Sequence, residues 1–341
     1  MTMASLNDSP VIWTLAKDLG IKKISNPVEE ILNFCEKKVK KILKEFTDCN
    51  TLQGLLEAIA AKMNTQFCEI RDDNELETTK KRFVSRGEKI FANLDSELND
   101  EVLGITFKLT NREPWERQFV SVIDCRGSKA FRSYFTKWHE IAHLLVLTDQ
   151  QRLKFMRTNT NPAKIDPEEV MVDKIAGRFG FYPSFIRKKV KKHDLTFEII
   201  EMLKFELCPE ASVKAALIGF VNAWPGPCIL AYCKLGLKKS EQRNLSQQSF
   251  GFMAEPMARL RAIEIVLNPA ATKASFRIHK NMRVPNSSVI KYFYENFEEF
   301  AEAEENLSWW ESSDGKRLGD IPIAVKVRRY SEGVFALISP L

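Results

Sequence analysis

The segment Trp138-His139-Glu140-Ile141-Ala142-His143-Leu144-Leu145 constrains this chain more than any other stretch. The chain has only four histidines, and two of them stand here four positions apart. A helix turns about 100° per residue, so His139 and His143 lie one turn apart on a single face. Two imidazoles so placed can bind one Zn2+ ion, and Glu140 beside them can reach a water on that ion. Ile141, Leu145 and Trp138 fall on the other side and can anchor the helix in a core. The competing reading is an amphipathic helix whose two histidines are four apart by coincidence.

Bulk properties set the frame around that segment. A length of 341 residues allows two domains, or three small ones, with a real core. The hydrophobic fraction of 44% and charged fraction of 28% fit an ordinary globular protein. A net charge of +6 and a pI near 8.8 permit nucleic-acid contact without demanding it. Seven scattered cysteines form no C-x-x-C pair, which argues against a zinc ribbon or a thioredoxin-like site. Residues 1–19 carry Asp8, Lys17 and Asp18 and lack the apolar core of a signal peptide. No apolar run approaches the roughly 20 residues of a membrane span. The expected home is a reducing cytoplasm with free thiols.

Local patterning orders the chain. Asn26-Pro27 starts a helix whose apolar residues recur at Ile31, Phe34, Cys35, Val39, Ile42 and Leu43. Lys37, Lys38, Lys40, Lys41 and Lys44 fill its other side, as a solvated face or a phosphate-binding stripe. A second helix is expected over 52–63, and strands over 66–71, 103–109 and 118–123. The histidine helix is predicted over 128–149, a polar loop over 150–165, and a helix from Asp166 toward Tyr182, ended by Pro183. Basic residues cluster from Arg187 to His193, and helical pattern resumes over 196–224. Composition changes at Pro225-Gly226-Pro227. Strands are expected over 228–233, 275–279, 323–327 and 334–338, with Gly333 in a hairpin turn. An acidic amphipathic helix is expected over 287–305, carrying Tyr292, Phe293, Phe297 and Phe300.

A catalytic zinc site usually has three protein ligands and an open position for water, so two histidines are not enough. No further His follows at metzincin spacing, which leaves a carboxylate on a later helix as the better candidate. The stretch Glu169-Val170-Met171-Val172-Asp173-Lys174-Ile175-Ala176 resembles the Glu-x-x-Ala-Asn-x-Phe-Ala pattern of the ImmA/IrrE family of zinc peptidases. That family also carries an Arg/Phe-Thr-x-x-His-Glu-x-x-His stretch, which Phe135-Thr136-Lys137-Trp138-His139-Glu140-Ile141-Ala142-His143 resembles. The resemblance covers residues 117–183. Val172, Asp173 and Ile175 depart from its Ala, Asn and Phe, and Pro183 echoes its closing Pro one residue late.

The resemblance implies a Zn2+-dependent endopeptidase that cleaves a helix-turn-helix transcriptional repressor and releases a stress-response or phage-related operon. It implies an α+β fold in three parts. These are a zincin-like peptidase domain over 1–195 (small sheet plus active-site helix), a helix-turn-helix-like connector over 196–224, and a GAF-like α/β sensor domain over 225–341. It assigns His139, His143 and Glu169 to the metal and Glu140 to proton transfer. Glu169 has an alternative role as the third helical residue of a capping box begun by Asp166, with Glu168 then in reserve as ligand. Asp173, one turn after Glu169, can hold a ligand histidine by its second nitrogen or stand exposed as a solubilising group. Tyr134 and Arg132 are candidates for the oxyanion donor. Cys125 can occupy the open zinc position as an inhibitory thiolate, or be a small buried residue at a strand end. The chief alternative function is a non-catalytic DNA-binding regulator with a structural metal site, based on Arg187 to Lys192. Single-stranded DNA or a small molecule bound by the GAF-like part are candidate activators.

Overall fold

A computed structural model describes residues 6–148, 154–158, 166–191, 193–238, 241, 257–296, 298–312 and 315–341. The protein is mixed α+β with two sheets. The chain divides into two compact units: residues 1–185 with 204–215, and residues 186–203 with 216–341. The stretch 196–224 therefore does not stand alone as the expected connector. Its apolar side chains explain why, because Ile200, Leu203, Leu207 and Phe220 are all buried and a separate two-helix piece could not cover them. Among the described residues no helix is long and apolar enough to cross a membrane, and all seven cysteines are free.

In the first unit, helices α1 (Pro10–Asp18), α2 (Pro27–Glu45) and α3 (Leu52–Lys62) precede the sheet. Their starts are set by local chemistry. The Asn26 side chain accepts from the Glu29 N–H at 3.1 Å and Thr51 Oγ1 from the Gly54 N–H at 2.9 Å. Lys37, Lys40, Lys41 and Lys44 of α2 are exposed, as a solvated face requires. Lys38 turns inward.

The four-stranded sheet has the order β1-β3-β2-β4. Strands β1 (Thr65–Ile70) and β3 (Phe119–Asp124) run parallel, while β2 (Val102–Lys108) is antiparallel to β3 and to β4 (Lys154–Thr158). Strand β4 falls where a polar loop was expected. The remainder of that expected loop, and residues 149 and 192, lie outside the described residues. Successive side chains alternate between the sheet's faces. Ile105, Phe107, Val120 and Val122 pack with Leu76, Phe83 and Phe91 on one face. Leu76 and Phe83 belong to α4 (Asp73–Val84), a helix without a counterpart in the sequence expectations. The other face presents the small or polar residues Gly104, Thr106 and Ser121, and it receives the histidine helix.

That helix is α5 (Ser133–Leu145), entered through a 3-10 turn over Gly127–Arg132. Helix α6 (Pro167–Gly180) follows, then α7 (Pro183–Val190), α8 (Phe197–Leu207) and α9 (Val213–Ala223).

The second unit holds a five-stranded antiparallel sheet of order β6-β5-β9-β8-β7. Its strands are β5 (Ile229–Gly236), β6 (Arg259–Leu267), β7 (Phe300–Asn306), β8 (Pro322–Tyr330) and β9 (Gly333–Pro340). Ile229, Ala231, Val325, Val327, Ala336 and Ile338 form its core with Phe276, Phe293 and Trp310.

Three expectations need correction here. Residues 275–279 are not a strand, although Phe276 and Ile278 are buried. The helix expected over 287–305 stops at Asn296 as α10 (Val289–Asn296). Beyond it, 300–306 form β7, where acidic and small residues alternate and Glu302 pairs with Lys326 across the sheet. The hairpin turn falls on Ser331-Glu332, and Gly333 is the first residue of β9, paired with Tyr330. A Cβ at Gly333 would stand 2.5 Å from the Cys233 carbonyl oxygen, so a side chain there cannot be accommodated.

Candidate metal centre

Helices α5 and α6 are set against each other by one glycine. Gly180 ends α6, and a Cβ there would lie 3.2 Å from the Trp138 ring. Its carbonyl accepts the Tyr134 hydroxyl at 2.6 Å. Moving toward the C-terminus of α5 is moving toward the N-terminus of α6, so His139 reaches Asp173 and His143 reaches Glu169. The far end of α5 is closed by Lys38, whose ammonium donates to the Leu145 carbonyl at 2.8 Å.

His139, His143 and Glu169 bring one donor atom each within 4.8 Å of one another. His139 Nε2 stands 3.1 Å from His143 Nε2 and 3.1 Å from Glu169 Oε2, and His143 Nε2 is 3.5 Å from Glu169 Oε1. Ligand atoms about 2.05 Å from a tetrahedral Zn2+ would be roughly 3.3 Å apart, so these separations fit such an ion. His139 Nδ1 lies 2.8 Å from Asp173 Oδ1. A carboxylate can only accept, so His139 Nδ1–H donates to it and the Nε2 lone pair is left facing the centre. The His139 and His143 side chains are 2% and 1% exposed, whereas those of Glu169 and Asp173 are 31% and 52% exposed. The imidazole side is dry and the carboxylate side faces solvent.

Glu169 therefore turns toward the rings. The Asp166 side chain closes the helix start by accepting from the Glu168 N–H at 2.9 Å, and the alternative role of Glu169 in a reciprocal capping box gives way to its place beside the rings.

Glu140 is fully buried beneath the rings, against the sheet. Its Oε2 accepts the Thr106 hydroxyl at 2.7 Å, and Thr106 Oγ1 lies 2.6 Å from Ser121 Oγ. The single Thr106 proton goes to Glu140, so Ser121 donates to Thr106. The hydrogen-bond chain ends at Ser121: Thr65 Oγ1 lies 3.5 Å away, but its single proton goes to the Phe119 carbonyl at 3.3 Å. Gly104 makes room, since a Cβ there would meet Thr136 Cγ2 at 2.6 Å and Glu140 Oε1 at 3.1 Å. Sequence reasoning missed Gly104, Thr106 and Ser121. Their signal was small or polar residues at alternate positions of otherwise apolar strands.

Two suggested roles, those of Cys125 and Tyr134, do not fit the geometry. Cys125 lies outside the donor group. Its backbone N–H donates to the Ile70 carbonyl, and its charged neighbours are Glu69, Lys137, Arg71 and Asp124. Burial, then Glu69, pushes its thiol up to about 11. Tyr134 is a 1% exposed core residue spent on the Gly180 carbonyl, and burial holds its phenol well above its usual range. Arg132 is exposed before the first turn of α5, where its carbonyl accepts from Thr136 Oγ1.

Lys137 explains the remaining buried charge of α5. It pairs with Glu69 at 2.5 Å and Glu210 at 2.8 Å. Burial lowers its pKa, but the two carboxylates outweigh that and leave it raised.

No known protein family and no curated protein matches this chain.

Proposed function

We propose that the protein is a Zn2+-dependent endopeptidase of the ImmA/IrrE type that cleaves a helix-turn-helix repressor in the cytoplasm. The observation that carries this reading is the convergence of His139, His143 and Glu169 with Glu140 alongside and Asp173 behind His139. The mixed four-stranded sheet of order β1-β3-β2-β4, with α5 laid across it, supports a zincin-like first unit. The antiparallel sheet of the second unit supports a GAF-like one.

Zinc held by this set would polarise the scissile carbonyl and make its water acidic. Glu140 takes the proton of the attacking water and returns it to the leaving amine. Thr106 holds one carboxylate oxygen of Glu140, fixing which oxygen accepts the proton. Asp173 keeps His139 in the tautomer that presents Nε2. The dry sheet face behind Glu140 excludes competing water.

The test combines metal analysis with incubation of the purified protein and a helix-turn-helix repressor, with single-stranded DNA added as a candidate activator. The expected result is about one zinc per chain and a single cut. Glu140→Gln should keep the zinc and lose about 100-fold or more in cleavage rate. Cleavage by zinc-loaded Glu140→Gln at the parent rate would remove the mechanism. A non-catalytic DNA-binding regulator would show metal and DNA binding through Arg187 to Lys192 without any cut.

A further inference from the structure

Strand β6 is the edge of the five-stranded sheet, and residues 281–284 pair along it. The Asn281 N–H donates to the Ala262 carbonyl at 2.7 Å, and the Val284 N–H to the Leu260 carbonyl at 2.9 Å. This places Arg261 opposite Arg283 in an antiparallel bridge. Arg259 follows two positions away on the same face. Like charges directly opposed across strands destabilise a sheet. Burial sharpens the conflict, because Arg261 is only 3% exposed. Its Nε donates to the Gly236 carbonyl and its Nη1 to the Asn281 carbonyl, both at 3.2 Å, and its ion-pair partner Glu241 is 3.9 Å away. Burial lowers its pKa, Glu241 opposes that, and Arg283 and Arg259 lower it further.

The three arginines line one open cleft of about 1400 Å³ in the second unit. Lys238, Lys280 and Arg317 add three more cations to the same lining. Glu241 and Glu311 are the carboxylates among the described lining residues, and Glu311 is engaged by Arg317 at 3.3 Å. Trp309, 42% exposed, also faces this cleft.

We propose that this cleft binds a phosphorylated small molecule whose phosphates are gripped by Arg259, Arg261 and Arg283. Guanidinium forks match phosphate oxygens two at a time, and a di- or triphosphate carries enough charge to relieve the opposed Arg261 and Arg283 together with Arg259 beside them. Trp309 supplies a face for a flat ring, so a nucleotide should bind more tightly than a phosphate ester without one. The cleft is built wholly from second-unit residues and does not depend on the peptidase reading.

Calorimetric titration of the full chain tests this with pyrophosphate, a sugar bisphosphate and ATP, each in magnesium-free buffer. All three should bind, more weakly as salt rises. The exposed double variant Arg259→Glu/Arg283→Glu should weaken binding about 100-fold, while the control Lys40→Glu/Lys41→Glu should match the parent. Tighter binding of ATP that Trp309→Ala abolishes assigns the ring to the tryptophan; equal binding of all three assigns recognition to the phosphates alone. Thermal unfolding without ligand supplies a second reading, in which Arg283→Gln should be no less stable than the parent. The proposal is overturned if none of the three compounds binds at about 1 mM, or if the double variant keeps the parent affinity. A marked loss of stability in Arg283→Gln would also overturn it, by making the arginine a structural element.

Discussion

In the four-stranded sheet, Ser121 and Thr106 carry hydroxyls into a buried interior and pass hydrogen bonds along to Glu140. In the five-stranded sheet, Arg259, Arg261 and Arg283 crowd like charges against one edge. The first arrangement spends polar groups to hold a reactive carboxylate in one pose. The second leaves a charge conflict that protein groups only partly relieve. Buried polar networks specify geometry when their members are satisfied, whereas uncompensated charge near a cleft points to something that must arrive from outside. The two sheets thus present opposite uses of polarity: one preorganises, the other waits.

The hardest blow to the preorganised side is Glu169→Ala. With only two nitrogens left, zinc content of the purified protein should fall to near background, and cleavage with it. Glu168→Ala should keep both, because the Glu168 backbone is engaged by the Asp166 cap while the rings are met by Glu169. Zinc lost from Glu168→Ala but kept by Glu169→Ala would reverse the ligand assignment. Next comes Asp173→Ala. Removing the carboxylate behind a ligand histidine should weaken zinc affinity about 10- to 100-fold, measured by competition with a chelator. Unchanged affinity would return Asp173 to the role of a solvated surface acid.

How far these sites were legible follows from the kind of signal each one sends. His139, Glu140 and His143 declare themselves by spacing on one helix; Glu169 was an expectation from a resemblance, and Asp173 followed from standing one helical turn after it. Gly104, Thr106 and Ser121 send no such signal, because their meaning comes from which face of a strand meets α5, and strand pairing is non-local. Of the two readings of Cys125, the plain one holds: it is a small buried residue just past the end of β3. Closeness along the chain to the metal helix suggested the zinc thiolate, but the Cys125 N–H is held by the Ile70 carbonyl at the end of β1, beside Lys137. In the second unit, the 287–305 error arose because aromatic residues from α10 and β7 mimic one helical stripe, and only the pairing of β7 with β8 separates them. The arginine conflict was invisible, since Arg261 and Arg283 are 22 positions apart.

Thr106→Val sharpens the contrast between the sheets at an intermediate scale. Valine keeps the shape and removes the hydroxyl that Glu140 Oε2 accepts from. A buried carboxylate deprived of a donor costs about 1–3 kcal/mol, and stability in urea should fall by that order. The cleavage rate should drop in kcat more than in KM, with zinc content unchanged, and Thr106→Ser should restore most of it. A Thr106→Val protein with the parent kcat would show that Glu140 is held by the helix alone.

The smallest effect concerns Glu305, the second unit's own buried carboxylate. Its Oε1 accepts from Ser288 Oγ at 3.0 Å and from the Val289 N–H at 2.6 Å, closing the start of α10. Burial raises its pKa above the usual 4.5, although the two donors oppose that. An acid whose folded pKa is raised releases its proton from the unfolded chain first. The folded state is therefore penalised once pH climbs past 4.5 and through the raised value, and is relieved as pH falls back. A carboxamide in place of the carboxylate would still offer an oxygen to both donors without the buried charge. Glu305→Gln should thus stabilise the protein slightly at neutral pH, by no more than about 1 kcal/mol, and the gain should shrink on acidification toward pH 4.5. Urea unfolding of parent and variant at several pH values reads this directly. A variant less stable than the parent at neutral pH would mean that the ionised carboxylate is needed at the α10 start, and the second sheet would then hold a satisfied charge of the same kind as Glu140.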